Sequence, residues 1–76
     1  MDLSYAFGKT LRKIRVEQGL TQEQLGFEAG LRRTYISSLE LAEKDPSLKT
    51  IEKLSSALGI SVSKFMIEVE KEQKKA

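Results

Sequence analysis

Apolar residues recur along the chain at intervals of three and four, and glycine or proline interrupts each run. The first run covers about residues 4–18. It places Phe7, Leu11 and Ile14 on one helical face, with Asp2 or Ser4 as its starting cap and Gly19 as its stop. The second begins at Thr21, which has the spacing to Gln24 of a reciprocal capping box. Leu25 and Ala29 then point inward, and Gly30 ends a helix too short to persist without tertiary packing. The third run, about Arg33 to Ala42, buries Ile36 and Leu39 and turns Arg33, Thr34, Ser37 and Ser38 the other way. Arg32 occupies its cap position, where a hydroxyl or carboxylate side chain would be favoured. The fourth starts at Ser47, just after Pro46, carries Leu48, Ile51, Leu54 and Leu58, and stops at Gly59. The fifth starts at Ser61 and carries Val62, Phe65, Met66 and Val69. No alternation of period two persists, so the pattern predicts helices and no strands.

Five short helices joined by short loops predict a compact all-α domain over residues 1–69, followed by a polar tail at 70–76 that is expected to fray. The expected core is Phe7, Leu11, Ile14, Leu20, Leu25, Ala29, Ile36, Leu39, Leu48, Ile51, Leu54, Leu58 and Ile60. Gly26 falls inside the second helix, where glycine lowers stability by about 0.5–1 kcal/mol relative to alanine, so it predicts a close approach of another element.

Composition narrows the chemistry. The 76 residues include no cysteine, histidine or tryptophan, which removes disulfides, Cys or His nucleophiles, a His base and zinc sites built on those ligands. Ser37, Ser38 and Glu40 form no hydrolytic set without a base, so no catalytic residue, metal or cofactor is expected, and no small-molecule ligand. No secretory signal and no apolar run of membrane-spanning length is visible, which gives a cytoplasmic reading and no membrane partner. The net charge of +2 is too small to indicate a partner by itself. Its distribution is more informative. Lys9, Arg12, Lys13 and Arg15 form one acid-free block, and Arg32 with Arg33 forms another at the start of the third helix.

The segment LTQEQLGFEAGLRRTYISSLE, residues 20–40, has the layout of a helix-turn-helix at about 21–42. Around it stand LRKIR at 11–15, GLTQEQL at 19–25, AG at 29–30, YIS at 35–37, LE at 39–40, PSLKTIEKL at 46–54 and ALGIS at 57–61. In this order and spacing the chain resembles the Cro and phage-repressor (Xre) family over about residues 5–66, with a lambda-repressor-like fold. RTYIS at 33–37 further resembles the controller proteins of restriction–modification systems.

The resemblance implies a dimeric, sequence-specific DNA-binding transcription regulator acting on a palindromic operator. In this class the second motif helix enters the major groove with its N-terminal residues on base edges. Those positions are Arg32, Arg33 and Thr34, with Ser37 and Ser38 one turn on. Arginine suits guanine O6 and N7, and two cations at a positive helix end are explained by an arriving anion. Gln22 is implied as a phosphate contact that also buttresses the reading helix, with Tyr35, Lys44 and Lys49 as further phosphate contacts. Arg15 and Glu40 are implied as a structural salt bridge. Val62, Phe65, Met66 and Val69, unassigned to the core, are expected at a dimer interface within about residues 59–69, the alternative being packing within the monomer, for Phe65 first. RNA polymerase is a candidate partner if the regulator activates. Two departures stand out: Leu41 and Ala42 replace the family's basic or polar residue and glycine, which lets the third helix extend by a turn, and Glu43-Lys44-Asp45 is acidic for a DNA-facing loop. An antitoxin, or another protein-interaction module that also binds DNA, is the alternative reading.

Overall fold

The computed structural model describes residues 1–75. Five helices follow one another: α1 (Leu3–Glu17), α2 (Gln22–Ala29), α3 (Arg33–Glu40), α4 (Leu48–Leu58) and α5 (Val62–Gln73). Four of the five starts are capped by side chains. Asp2 accepts from the Ser4 amide, Ser47 from that of Thr50 and Ser61 from that of Lys64, while Thr21 and Gln24 form the full reciprocal box. Arg32 caps α3 in an extended conformation but offers no side-chain acceptor.

The core lies where all five helices converge. Leu11, Leu25, Ile36, Leu39, Leu54 and Phe65 are essentially without solvent contact. Phe7 of α1 stacks on Phe65 of α5 with ring centroids 5.2 Å apart. Burying one such side chain stabilises the fold by roughly 1.5–3 kcal/mol.

Phe65 and Val69, expected at a dimer interface, are therefore core residues of the monomer, both 0% exposed. The stripe they belong to is the face that α5 turns onto α1. Val62 stays exposed and Met66 is half-buried against the core. Leu48 is the opposite error: as the first residue of α4 it has no turn before it to pack on, and it is 86% exposed. Ile14, Leu20, Ile51 and Ile60 are only partly buried.

Two further expectations change. The expected tail is helical over residues 70–73, because α5 continues through Gln73; Ala76 lies outside the described residues. The continuation is held by Glu72, a buried residue whose carboxylate sits 3.7 Å from Lys9 of α1 and 3.2 Å from Lys75. The hydrogen bond from Lys75 keeps the Glu72 carboxyl below its ordinary pKa; burial opposes this, and the positive charges of Lys75, Lys9 and Lys13 add to it. The third helix also does not extend, since it ends at Glu40 with Leu41 as its cap. Ala42 then takes a φ of 60°, in the left-handed region. The chain turns there as it would at glycine.

Two glycines set how closely the helices approach. A Cβ on Gly8 would meet the carbonyl oxygens of Leu39 and Glu40 at 2.5 and 2.6 Å, so the end of α3 rests directly on α1. A Cβ on Gly26 would stand 2.5 Å from the Leu31 carbonyl oxygen, so the turn into α3 rests on α2. Both contacts are with backbone, which has little freedom to move away. Among the described residues, no helix is long and apolar enough to cross a membrane.

Candidate nucleic-acid interface

The start of α2 has a surplus of hydrogen-bond donors. The first turn of any helix carries amides without intrahelical acceptors. The capping box uses two amides, with Thr21 Oγ1 accepting from Gln24 and Gln24 Oε1 accepting from Thr21. Among the described residues, the amides of Gln22 and Glu23 find no acceptor. They border an open groove of about 490 Å³ lined by Thr21, Gln22, Glu23, Arg15 and Arg33. Free amides at a positive helix end, with a guanidinium opposite, form a cradle suited to a phosphate.

Beneath the groove lies a buried polar network. Arg15 donates from Nε to Glu40 Oε2 at 2.6 Å, from Nη2 to Glu40 Oε1 at 3.0 Å and from Nη1 to the Leu20 carbonyl at 2.7 Å. The Glu40 hydrogen bond raises the pKa of the Arg15 guanidinium above its ordinary value against the opposing effect of burial. Gln22 Nε2 donates to the same Glu40 Oε1 at 3.1 Å. One carboxylate thus joins the end of α1, the start of α2 and the end of α3. The expected structural role of Arg15 and Glu40 is what the geometry shows, and Gln22 is tied into it as a brace on α3. Its carboxamide keeps one N–H and its carbonyl for an outside partner.

Arg32, Arg33 and Thr34 are exposed at the start of α3, and neither arginine has an ion-pair partner among the described residues. Ser37 and Ser38 are half-buried one turn on. Ser38 donates to the Thr34 carbonyl at 3.0 Å, so only its acceptor capacity faces outward. Tyr35 packs its ring against the core, with its hydroxyl 3.2 Å from Thr50 Oγ1, which also accepts from Ser47 at 3.0 Å. That hydroxyl chain joins α3 to the start of α4. The exposed Lys44 lies 6.0 Å over the Tyr35 ring. Lys49 is exposed and only loosely paired with Glu52, at 3.9 Å. Of the predicted contacts, Gln22 and Arg33 meet around the groove, and Tyr35 and Lys44 meet beside the hydroxyl chain to Ser47 and Thr50; Arg32, Thr34, Ser37, Ser38 and Lys49 belong to neither group.

Thr50 and Gly8 were absent from the predicted site. Thr50 was detectable, standing at the capping distance from Ser47. Gly8 was detectable by the same sign as Gly26, a glycine inside a helical run. The acidic loop also has an explanation, since Ser4 donates its hydroxyl to Asp45 and anchors the loop to the start of α1.

Known proteins are similar to this chain in sequence and fold. The chain is 40% identical over 72 residues to the control protein C.MunI of a Mycoplasma species, covering 93% of this chain and 97% of that protein. The restriction–modification controller protein C.Esp1396I has the same shape, with a TM-score of 0.91, 33% identity and coverage of 100% and 99%. The clp gene regulator ClgR of C. glutamicum also superposes, with a TM-score of 0.90, 29% identity and coverage of 100% and 99%. The family model described as Helix-turn-helix matches residues 11–65, and the chain belongs to that family, in its Xre type.

Proposed function

We propose that the chain is a sequence-specific, DNA-binding transcription regulator, and more narrowly the control protein of a restriction–modification system. The observation that carries this reading is the start of α3. Two unpaired arginines stand at a helix end with no capping acceptor, beside an α2 start whose amides are free. Such an arrangement is unfavourable by itself and becomes favourable when a polyanion docks. Arg33 is the base reader, bidentate on guanine, with Thr34 and Arg32 beside it. The amides of Gln22 and Glu23 and the free N–H of the Gln22 carboxamide hold a backbone phosphate, and Lys44 and Lys49 hold another stretch of backbone. The narrower assignment rests on similarity to C.MunI and C.Esp1396I.

The regulator acts as a two-fold dimer. With Phe65 and Val69 internal, the copy contact falls to Val62 and the rim of Met66, joined by Ile67 and Leu3, which are 53% and 48% exposed. A two-fold axis places two α3 helices about 34 Å apart, one turn of DNA, and requires a palindromic site. RNA polymerase is the partner if the regulator activates.

Selection of bound sequences from a random duplex pool tests the reading. A recovered palindrome with guanine at positions lost in Arg33→Ala supports it. A pool with no enrichment at low salt, where any phosphate contact is strongest, rejects it.

A further inference from the structure

We propose that the outer face of α1 is a second DNA-contact surface, which takes the phosphate backbone flanking the site that α3 reads. The inference rests on the reading of the chain as a DNA-binding regulator. In α1, Phe7, Gly8, Leu11 and Arg15 turn inward, which leaves Tyr5, Lys9, Arg12, Lys13 and Val16 exposed together on the outer side. Three of those five side chains are cations, and α1 has no acid before Glu17. Lys9, Arg12 and Lys13 line a shallow groove of about 360 Å³ with Val16, bordered by Glu17.

Three carboxylates border this strip on the α5 side, where Glu17, Glu68 and Glu72 line a groove with Lys13. Glu72 of α5 sits 3.7 Å from Lys9, and its carboxyl feels the charge of Lys13. Arg12 has no ion-pair partner among the described residues. Nothing in the fold requires an unpaired guanidinium there.

Position selects DNA over an acidic protein segment. Arg15 lines the phosphate cradle at the start of α2, and Arg12 stands three residues before it, a neighbour on the helix surface. The cationic strip therefore starts at the edge of the proposed DNA groove and runs back along a helix about 22 Å long. A duplex leaving the cradle carries one negative charge per ~1.7 Å of its axis, and the strip extends the same binding face.

The test compares two duplexes bearing the sequence recovered by selection: a core of about 20 base pairs, and the same core extended by roughly one turn on each side. Arg12→Gln with Lys13→Gln is compared with the unaltered protein, leaving Lys9 to hold Glu72. A matching thermal melt establishes that both proteins are folded. On the extended duplex the slope of log K against log salt is expected to fall by about 2 per protomer, and on the core duplex to stay unchanged. No change on the extended duplex, or an equal fall on both, overturns the proposal. Arg33→Ala on the core duplex separates the two readings. If it weakens specific binding while the α1 variant changes nothing, only the flanking contact is lost.

Discussion

Arg15 and the pair Arg32–Arg33 are the same kind of side chain in opposite circumstances. Arg15 is buried, and its guanidinium donates twice to Glu40 and once to a carbonyl. Arg32 and Arg33 are exposed at the start of α3, and their guanidinium groups bond to nothing among the described residues. A cation whose donors are satisfied inside the fold serves the fold. A cation held at an unfavourable helix end with its donors open is available to a partner. Glu40 connects the two regions, because the carboxylate that fixes Arg15 closes the helix that Arg33 opens.

The largest test of this contrast is Arg15→Met. The Glu40 side chain is only 2% exposed, and without Arg15 its carboxylate keeps only the Gln22 amide. Removing one partner of such a pair destabilises by about 3–5 kcal/mol, comparable with the whole stability of a small domain. Urea unfolding should show most of that loss. Arg15→Met combined with Glu40→Leu should recover much of it, since no buried charge remains. A single variant within 1 kcal/mol of the parent, on the order of a surface pair's worth, would mean that Arg15 is no more structural than Arg33.

Arg33→Ala is the mirror experiment, with its effect on binding and not on folding. The selected duplex should lose about 1–3 kcal/mol of affinity, random duplex much less, and the urea midpoint should not move. Fluorescence anisotropy on both duplexes reads the difference. Equal losses on the two would make Arg33 a phosphate contact and remove it from base reading.

The sequence made one of these regions more legible than the other. Local signals are written in neighbouring residues, so the caps at Thr21, Ser47 and Ser61 and the stops at Gly30 and Gly59 stand where the pattern places them. Features set by distant packing were not legible. Phe65 read as surplus because its partner, Phe7, is far away in the chain, and the end of α3 that rests on Gly8 is equally distant in sequence. Arg15 and Glu40 were paired through the family resemblance, since nothing in their spacing joins residues 25 apart. Ala42 is intermediate: the family's glycine is missing, so the helix was expected to continue, yet the backbone still turns left-handed there with φ 60°. The cause is the end of α3, fixed on Gly8 and Arg15, which leaves the chain no straight continuation. Ala42→Gly should therefore raise stability by about 1 kcal/mol, the left-handed strain removed less the added unfolded-state entropy. An unchanged or lower urea midpoint would show that the turn is not strained.

Arg32→Ser is expected to shift stability the least of the substitutions that shift it, and to separate the two uses of charge most directly. Arg32 occupies a cap position in the right extended conformation, φ −73° and ψ 145°, and lacks only an acceptor. Serine supplies that acceptor and removes a cation from the positive end of α3, which should stabilise the fold by roughly 0.5–1 kcal/mol. The same change takes a guanidinium from the DNA face, so affinity for the selected duplex should fall and its salt slope should drop by about 1 if Arg32 meets a phosphate. A single substitution would then raise the melting temperature and weaken binding. If Arg32→Ser destabilises the fold, the arginine belongs with Arg15. If it stabilises the fold and leaves DNA affinity intact, Arg33 reads the site without it. Only opposite signs in the two measurements place Arg32 where the open helix end puts it, as a cation kept for a partner against the preference of its own helix.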